Sequence, residues 1–232
     1  MAAPSSALVA RDLTKRYGDT TALESLDLDV APLIDPTDGE AFVAGTPSSN
    51  RRELVDQIGL LPEEPPLYDE LTGREQLQFA ADLRDRSWES VADRALEFCD
   101  ALDLTADLDR RIEGYSTGMR QKAAFVQAVQ HDPDVVFLDE PTNGLDPRAA
   151  KTLRELILDL AAADTTVFLS THILPVVEEI ADEVGVLHDG RLVAEGSPAE
   201  LVADAEREAG ADLEDAFLAL TSEPEAAWQP QP

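Results

Sequence analysis

Two adjacent carboxylates close a short apolar run, Val135-Val136-Phe137-Leu138-Asp139-Glu140. An unbroken run of that length is what a parallel strand buried on both faces requires. Its acids then stand at the sheet's carboxyl edge, where open α/β folds bind ligands, and could serve nucleotide chemistry there. Strand-final acids are common, so the neighbouring residues decide. Pro141-Thr142-Asn143-Gly144-Leu145-Asp146-Pro147 follows directly, and a second strand pattern ends in Ser170-Thr171-His172. Upstream, Tyr115-Ser116-Thr117-Gly118-Met119-Arg120-Gln121 opens a helix running to about His131. At the front, Leu13-Thr14-Lys15-Arg16-Tyr17-Gly18 precedes the first strand pair.

The elements that must position these residues alternate in type. Thr72 and Glu75 have capping-box spacing ahead of Leu77, Ala80 and Ala81, and predict a helix start. Trp88, Val91, Ala92, Ala95, Cys99 and Leu102 continue at helical spacing, so residues 72–104 read as mostly helical, with Trp88 and Cys99 as core. Asp146-Pro147 reads as an N-cap and first helical residue, with Leu153, Leu156, Ile157 and Leu160 as the buried stripe. Thr165 to Ser170 is a strand. Val184 to His188 and Arg191 to Ala194 flank Asp189-Gly190, a strong hairpin turn. Strands alternating with helices predict an α/β fold, a wound sheet with crossover helices. No internal repeat is present.

The chain has 232 residues, enough for one domain with a full core. No stretch approaches the roughly 18 consecutive apolar residues of a membrane span. Residues 1–9 lack the pattern of a secretory signal. Cys99 is the only cysteine, which excludes an intrachain disulfide and suits a reducing cytoplasm. Asp and Glu number 48 against 18 Lys and Arg, a formal net charge of -30, dispersed along the chain. Such a surface, with Lys15, Lys122 and Lys151 as the only lysines, resembles proteins from saline cytoplasms. At about 1 M salt the screening length is about 3 Å, which removes most of the self-repulsion. The alternative is an acidic surface that holds a basic partner or metal ions, for which a clustered patch would be expected. The same field disfavours nucleic acid as a partner.

Taken together and in this order, the motifs resemble the ATP-binding subunit of the ABC transporter family, over about residues 8–220. The resemblance implies a P-loop NTPase-like fold with an N-terminal β-subdomain and a helical insertion. It implies one ATPase domain over 8–220, with core 8–64 and 129–196, helical subdomain 65–128 and C-terminal segment 197–220; the ends, 1–7 and 221–232, read as disordered tails. It also implies roles. Tyr17 would stack on adenine; Asp139 would hold magnesium; Glu140 would polarise the attacking water; His172 would reach the γ-phosphate. Gly144 to Asp146 match the loop that contacts a second subunit. Ser116 and Gly118 match the signature loop, whose helix N-terminus favours the phosphate held by the opposite subunit. ATP and Mg2+ are the implied cofactors. A membrane permease and a second ATP-binding subunit, in a homo- or heterodimer, are the implied partners, with this chain on the inner face of the membrane. His131 and His188 match no motif.

The chain departs from the family twice. Where a glutamine usually follows the strand ending near Leu61, Pro62 is followed by Glu63, which we assign to nucleotide and magnesium contact as the resemblance implies. The second departure is larger. The Gly-x-x-x-x-Gly-Lys-Ser/Thr loop supplies backbone N–H groups and a lysine to the phosphates, and the chain contains no Gly-Lys dipeptide. The loop should lie between strands at Leu26–Val30 and Glu40–Val43, where only residues 31–39 stand. Loop, strand and following helix need well over about 20 residues. An internal deletion, taking a central strand and its helix, is the expectation. Three readings follow: a transport ATPase impaired by this loss; a non-catalytic subunit donating its signature loop to a partner; a soluble regulator without a permease. The Pro62 to Tyr68 and Tyr115 to Gln121 variants resemble the exporter-like branch.

Overall fold

Ladders, caps and turns place the predicted patterns in a computed structural model of the chain, which describes residues 8–17, 20–28, 38–205 and 212–221. The interval 31–37 and the predicted tails lie outside the described residues, except Thr221, which the sequence reading places in the tail and which instead ends a helix. The chain divides into two compact units: residues 1–11, 27–35 and 40–172, and residues 12–26, 36–39 and 173–232.

The chain opens with β1 (Leu8–Tyr17), β2 (Thr20–Leu28), β3 (Asp38–Val43) and β4 (Thr46–Pro47), in a sheet of order β2-β1-β3-β4. Leu13 to Tyr17, read from sequence as a lead-in to the first strand pair, lie inside β1. Next come α1 (Arg51–Gln57) and β5 (Ile58–Leu61). The predicted helical stretch is two helices, α2 (Gly73–Asp82) and α3 (Trp88–Ala101), separated at 83–87. Thr72 forms the full capping box: its Oγ accepts from Glu75 N–H, and the Glu75 carboxylate accepts from Thr72 N–H. Leu77, Ala80, Ala81, Val91, Ala95, Cys99 and Leu102 are buried as the spacing required, whereas Trp88 is half-buried.

Helix α4 (Thr117–Val129) leads to β6 (Val135–Asp139), α5 (Pro147–Ala162) and β7 (Thr166–Ser170). β5, β6 and β7 form a parallel three-stranded sheet in that order, with Leu61 opposite Leu138 and Asp139 opposite Ser170. Val135, Val136, Phe137 and Leu138 are all buried, as an uninterrupted apolar run in a central parallel strand should be. The expected wound sheet is thus three strands wide among the described residues. The Asp146 carboxylate accepts from Arg148 and Ala149 N–H, and Pro147 sits in the first turn of α5. Leu153, Ile157 and Leu160 bury that helix's stripe; Leu156 is half-buried.

The second unit holds α6 (Leu174–Ile180), β8 (Val184–His188), β9 (Arg191–Gly196), α7 (Pro198–Ala205) and α8 (Leu213–Thr221). β8 and β9 form the predicted hairpin, with Asp189 and Gly190 at φ 49° and 76°, the left-handed pair that suits a two-residue turn. Val186, Leu201 and Leu213 make its small core.

Candidate functional site

Because β5, β6 and β7 run parallel, their carboxyl ends share one edge. Glu63, Asp139, Glu140, Ser170 and His172 are therefore delivered to the same side of the sheet. Asp139 is exposed, and one carboxylate oxygen accepts from Ser170 Oγ at 2.5 Å. Glu140 turns the chain with φ 43°, a left-handed conformation that costs a non-glycine residue energy. Its N–H donates to Ser170 O at 2.9 Å.

The Glu140 side chain, 15% exposed, is held from three directions. Thr171 Oγ1 donates to one oxygen at 3.0 Å, and His172 N–H donates to the other at 2.9 Å. The His172 ring meets that second oxygen through Nδ1 at 2.7 Å. The imidazole itself is 80% exposed. A carboxylate fixed this firmly beside an exposed imidazole has the geometry of an oriented general base.

A second cluster forms at the start of α4. Ser116 is its N-cap, with Oγ accepting from Met119 N–H at 3.2 Å. Gly118 lies so close to the loop after β6 that a Cβ there would stand 3.1 Å from Gly144 O. Gly144, at φ 72°, would in turn drive a Cβ to 2.7 Å from Thr117 Cγ2. Ser116, Gly118, Gly144 and Asp146 thus belong to one packed neighbourhood, in which the Asp146 carboxylate is engaged as the α5 cap. The bonds from Ala149 and Arg148 N–H hold its pKa below the usual carboxylate range.

Glu63 is exposed two residues beyond β5, at the same edge. Tyr17 ends β1, and its side chain lies outside the described residues. Sequence reasoning gave no role to three further residues. Ser170 meets Asp139 because the two are register partners. Gln76, 1% exposed, accepts from Tyr68 N–H and donates to Gln127, which ties the segment after Glu63 to α4. Gln121 reaches back to the loop carrying Glu140. Only the first had a signal, in the alignment of two strand ends.

Residues 15–178 match the family described as "AAA domain, putative AbiEii toxin, Type IV TA system". Among curated proteins, the bacitracin transport ATP-binding protein BcrA of Enterococcus faecalis is 34% identical, covering 82% of this chain and 69% of its own. The chain belongs to the ATP-binding subunits of ABC transporters. The daunorubicin/doxorubicin resistance ATP-binding protein DrrA of Streptomyces peucetius is 32% identical over 85% of this subunit and 67% of its own length. An uncharacterized ABC transporter ATP-binding protein of Nostoc is 39% identical over 80% of the subunit, which spans about half of that relative, 54%. A solved ATP-binding subunit of an ABC transporter superposes with TM-score 0.84 at 27% identity, covering 93% of this subunit and 99% of that chain.

These matches also differ in length. The BcrA match runs over 215 positions but takes in 82% of 232 residues, about 190, so about 25 positions lack a counterpart in the subunit. The DrrA match, 222 positions against 85% of the chain, leaves about 25 as well. The Nostoc match, 187 positions against 80%, contains no such gap.

The residues present fit magnesium-bound ATP in part. Asp139 offers an exposed carboxylate, and Glu140 a carboxylate held by Thr171 and His172. Among the described residues no group of three or more His, Cys, Asp or Glu could hold a metal ion. The sequence contains no Gly-Lys dipeptide of the kind that ends the phosphate loop. No described helix is long and apolar enough to cross a membrane.

Proposed function

We propose that this subunit couples ATP binding and hydrolysis to transport through a membrane permease, as one of a pair of ATP-binding subunits, and that its own site is impaired by loss of the phosphate loop. The observation that carries this reading is the held Glu140 carboxylate beside Asp139 and His172. In it, Asp139 and Glu63 serve magnesium, Glu140 is the base, and His172 is positioned for the γ-phosphate. Tyr17 stacks on adenine. Ser116, Gly118 and Asp146 face the nucleotide held by the other subunit. The alignment gap of about 25 positions supports a missing strand, loop and helix. The exporter-like reading draws on the printed names of relatives, which concern bacitracin transport and drug resistance in those proteins. The subunit would sit on the cytoplasmic face, held there by the permease. The dispersed acidic surface is read as adaptation to a saline cytoplasm, so measurements belong in molar KCl.

As it stands, the chain supplies the base and the metal-side carboxylate without a phosphate cradle, so its steady-state ATPase should be at background. The test inserts a strand–loop–helix segment from the BcrA relative between Val30 and Asp38. Turnover should appear, and Glu140→Gln should lower it by a factor of about 10²–10⁴. Turnover that survives Glu140→Gln would remove Glu140 from the assigned role.

A further inference from the structure

Gln121 lies one turn into α4 and is 5% exposed. Its carboxamide nitrogen donates to Glu140 O and to Pro141 O, both at 3.2 Å. Those carbonyls need partners because the left-handed turn at Glu140 takes the backbone out of the β6 ladder just where it becomes buried. Glu140 O also accepts from Asn143 N–H at 3.0 Å. The two hydrogens of one amide group therefore satisfy two consecutive carbonyls of a strained turn. The same two segments also approach at Gly118, where a Cβ would stand 3.1 Å from Gly144 O.

We propose that Gln121 is a positioning residue: it fixes the Glu140 turn to the start of α4, so that whatever engages Ser116 and Gly118 bears on the Glu140 carboxylate of the same chain. The argument runs through backbone. The Glu140 side chain reaches Thr171 and His172 only while its own peptide is held in the left-handed turn. Gln121 clamps that peptide from the first turns of the helix capped by Ser116. Contact at the α4 N-terminus and orientation of the base are then one mechanical unit. The inference deepens the function proposed above and gives it a route of regulation between the two sites of a subunit pair.

The test needs no nucleotide, so its failure leaves the transporter reading untouched. Gln121→Met keeps the bulk of the side chain and removes both donors. Three histidines, His131, His172 and His188, give a simple imidazole nitrogen spectrum in the full chain. In the Met variant the His172 Nδ1 resonance should move while those of His131 and His188 stay. The Asn143 and His172 amides should exchange about five- to tenfold faster, with the amides of residues 123–129 unchanged. An unmoved His172 signal with wild-type exchange at Asn143 overturns the proposal. So does a uniform loss of protection through α4, which would make Gln121 a packing residue. If the Met variant fails to fold, Gln121→Asn, one methylene short of the carbonyls, must give the same selective shift or the proposal falls.

Discussion

β5 and β7 both pair with β6, each from one side, yet they are covered to different depths. In β5, Ile58, Gly59 and Leu61 are buried and Leu60 alone is exposed. Helix α4 lies so close that a Cβ on Gly59 would sit 2.2 Å from Ala128 O. His131 closes the strand's start by donating from Nε2 to Ile58 O at 3.1 Å. In β7, Thr166, Val167, Phe168 and Leu169 are half-buried and Ser170 is exposed, although Val167, Phe168 and Leu169 repeat the residue types of their buried partners Val136, Phe137 and Leu138. Among the described residues β7 has no second strand neighbour. A sequence built for burial on both faces occupies a position that provides less cover, on the strand that carries Ser170 and leads to His172. That difference is what losing an adjacent strand would leave behind.

The largest expected effect follows from supplying the strand that the proposed function holds to be missing. On the reading proposed above, ATP would have stacking worth about 1–3 kcal/mol without backbone N–H groups and a lysine around the phosphates, and dissociation constants should be millimolar or weaker. Inserting the strand–loop–helix segment between Val30 and Asp38 should tighten MgATP binding by about a thousandfold in calorimetric titrations in molar KCl. The amides of Val167 to Leu169 should gain exchange protection together with it. Micromolar binding by the chain as it stands would show that the comparison of flanks says nothing about the nucleotide site.

Next in size is a pair of truncations. Leu138 in β6 is 1% exposed, and Leu169 is its register partner in β7. Leu138→Ala should cost about 2–5 kcal/mol in urea unfolding, whereas Leu169→Ala, losing a half-buried side chain, should cost about 1 kcal/mol. Equal losses would mean that β7 is sealed as deeply as β6.

The sealed flank makes a prediction in pH. His131 is 3% exposed; burial, followed by the nearby Arg84 charge, pushes its pKa from 6.5 down to about 4. The unfolded chain binds that proton near pH 6.5 and the folded chain only near 4, so stability is full above 6.5 and falls as pH drops through the window. Between pH 7 and 4.5 the wild type should lose roughly 2–3 kcal/mol more than His131→Gln. Parallel pH profiles for the two proteins would place water beside His131 and erase the contrast between the flanks.

What the sequence disclosed has the range of the signal that carried it. Thr72 with Glu75, Asp146 with Pro147, and Asp189 with Gly190 act within four residues, and each forms the expected cap or turn. The buried strand at Val135 to Leu138 was legible because burial on both faces leaves no alternation. The contacts that orient Glu140 depend on strand register across about 30 residues, and no local pattern records them. Gln121 is the clearest case: a glutamine on a helix reads as surface until the fold brings Pro141 beneath it. The start of β1 was misplaced for a related reason, since Leu13 to Tyr17 carry polar and charged residues that give a strand little apolar alternation.

The smallest effect tests whether β6 and β7 are coupled as the register states. Phe137 and Phe168 are opposite one another, with ring centroids 5.8 Å apart and planes tilted by 56°. Such aromatic pairs contribute about 0.5–1.5 kcal/mol beyond the area they bury. Phe137 is 6% exposed and Phe168 half-buried, so the single changes should differ, with Phe137→Leu costing more. Their interaction is a separate quantity, isolated by a double-mutant cycle with Phe137→Leu and Phe168→Leu. The coupling should fall in that range, both in the chain as it stands and after the segment between Val30 and Asp38 is restored. Restoration adds cover to Phe168 and should raise the cost of Phe168→Leu alone, leaving the pair's coupling unchanged. A coupling near zero in the original chain would detach β7 from the ladder and remove the ground for reading its exposure as a missing neighbour. If the coupling appears only after restoration, β7 needs the absent segment to reach its register at all, and the Glu140–His172 contact should then be re-measured in the restored chain.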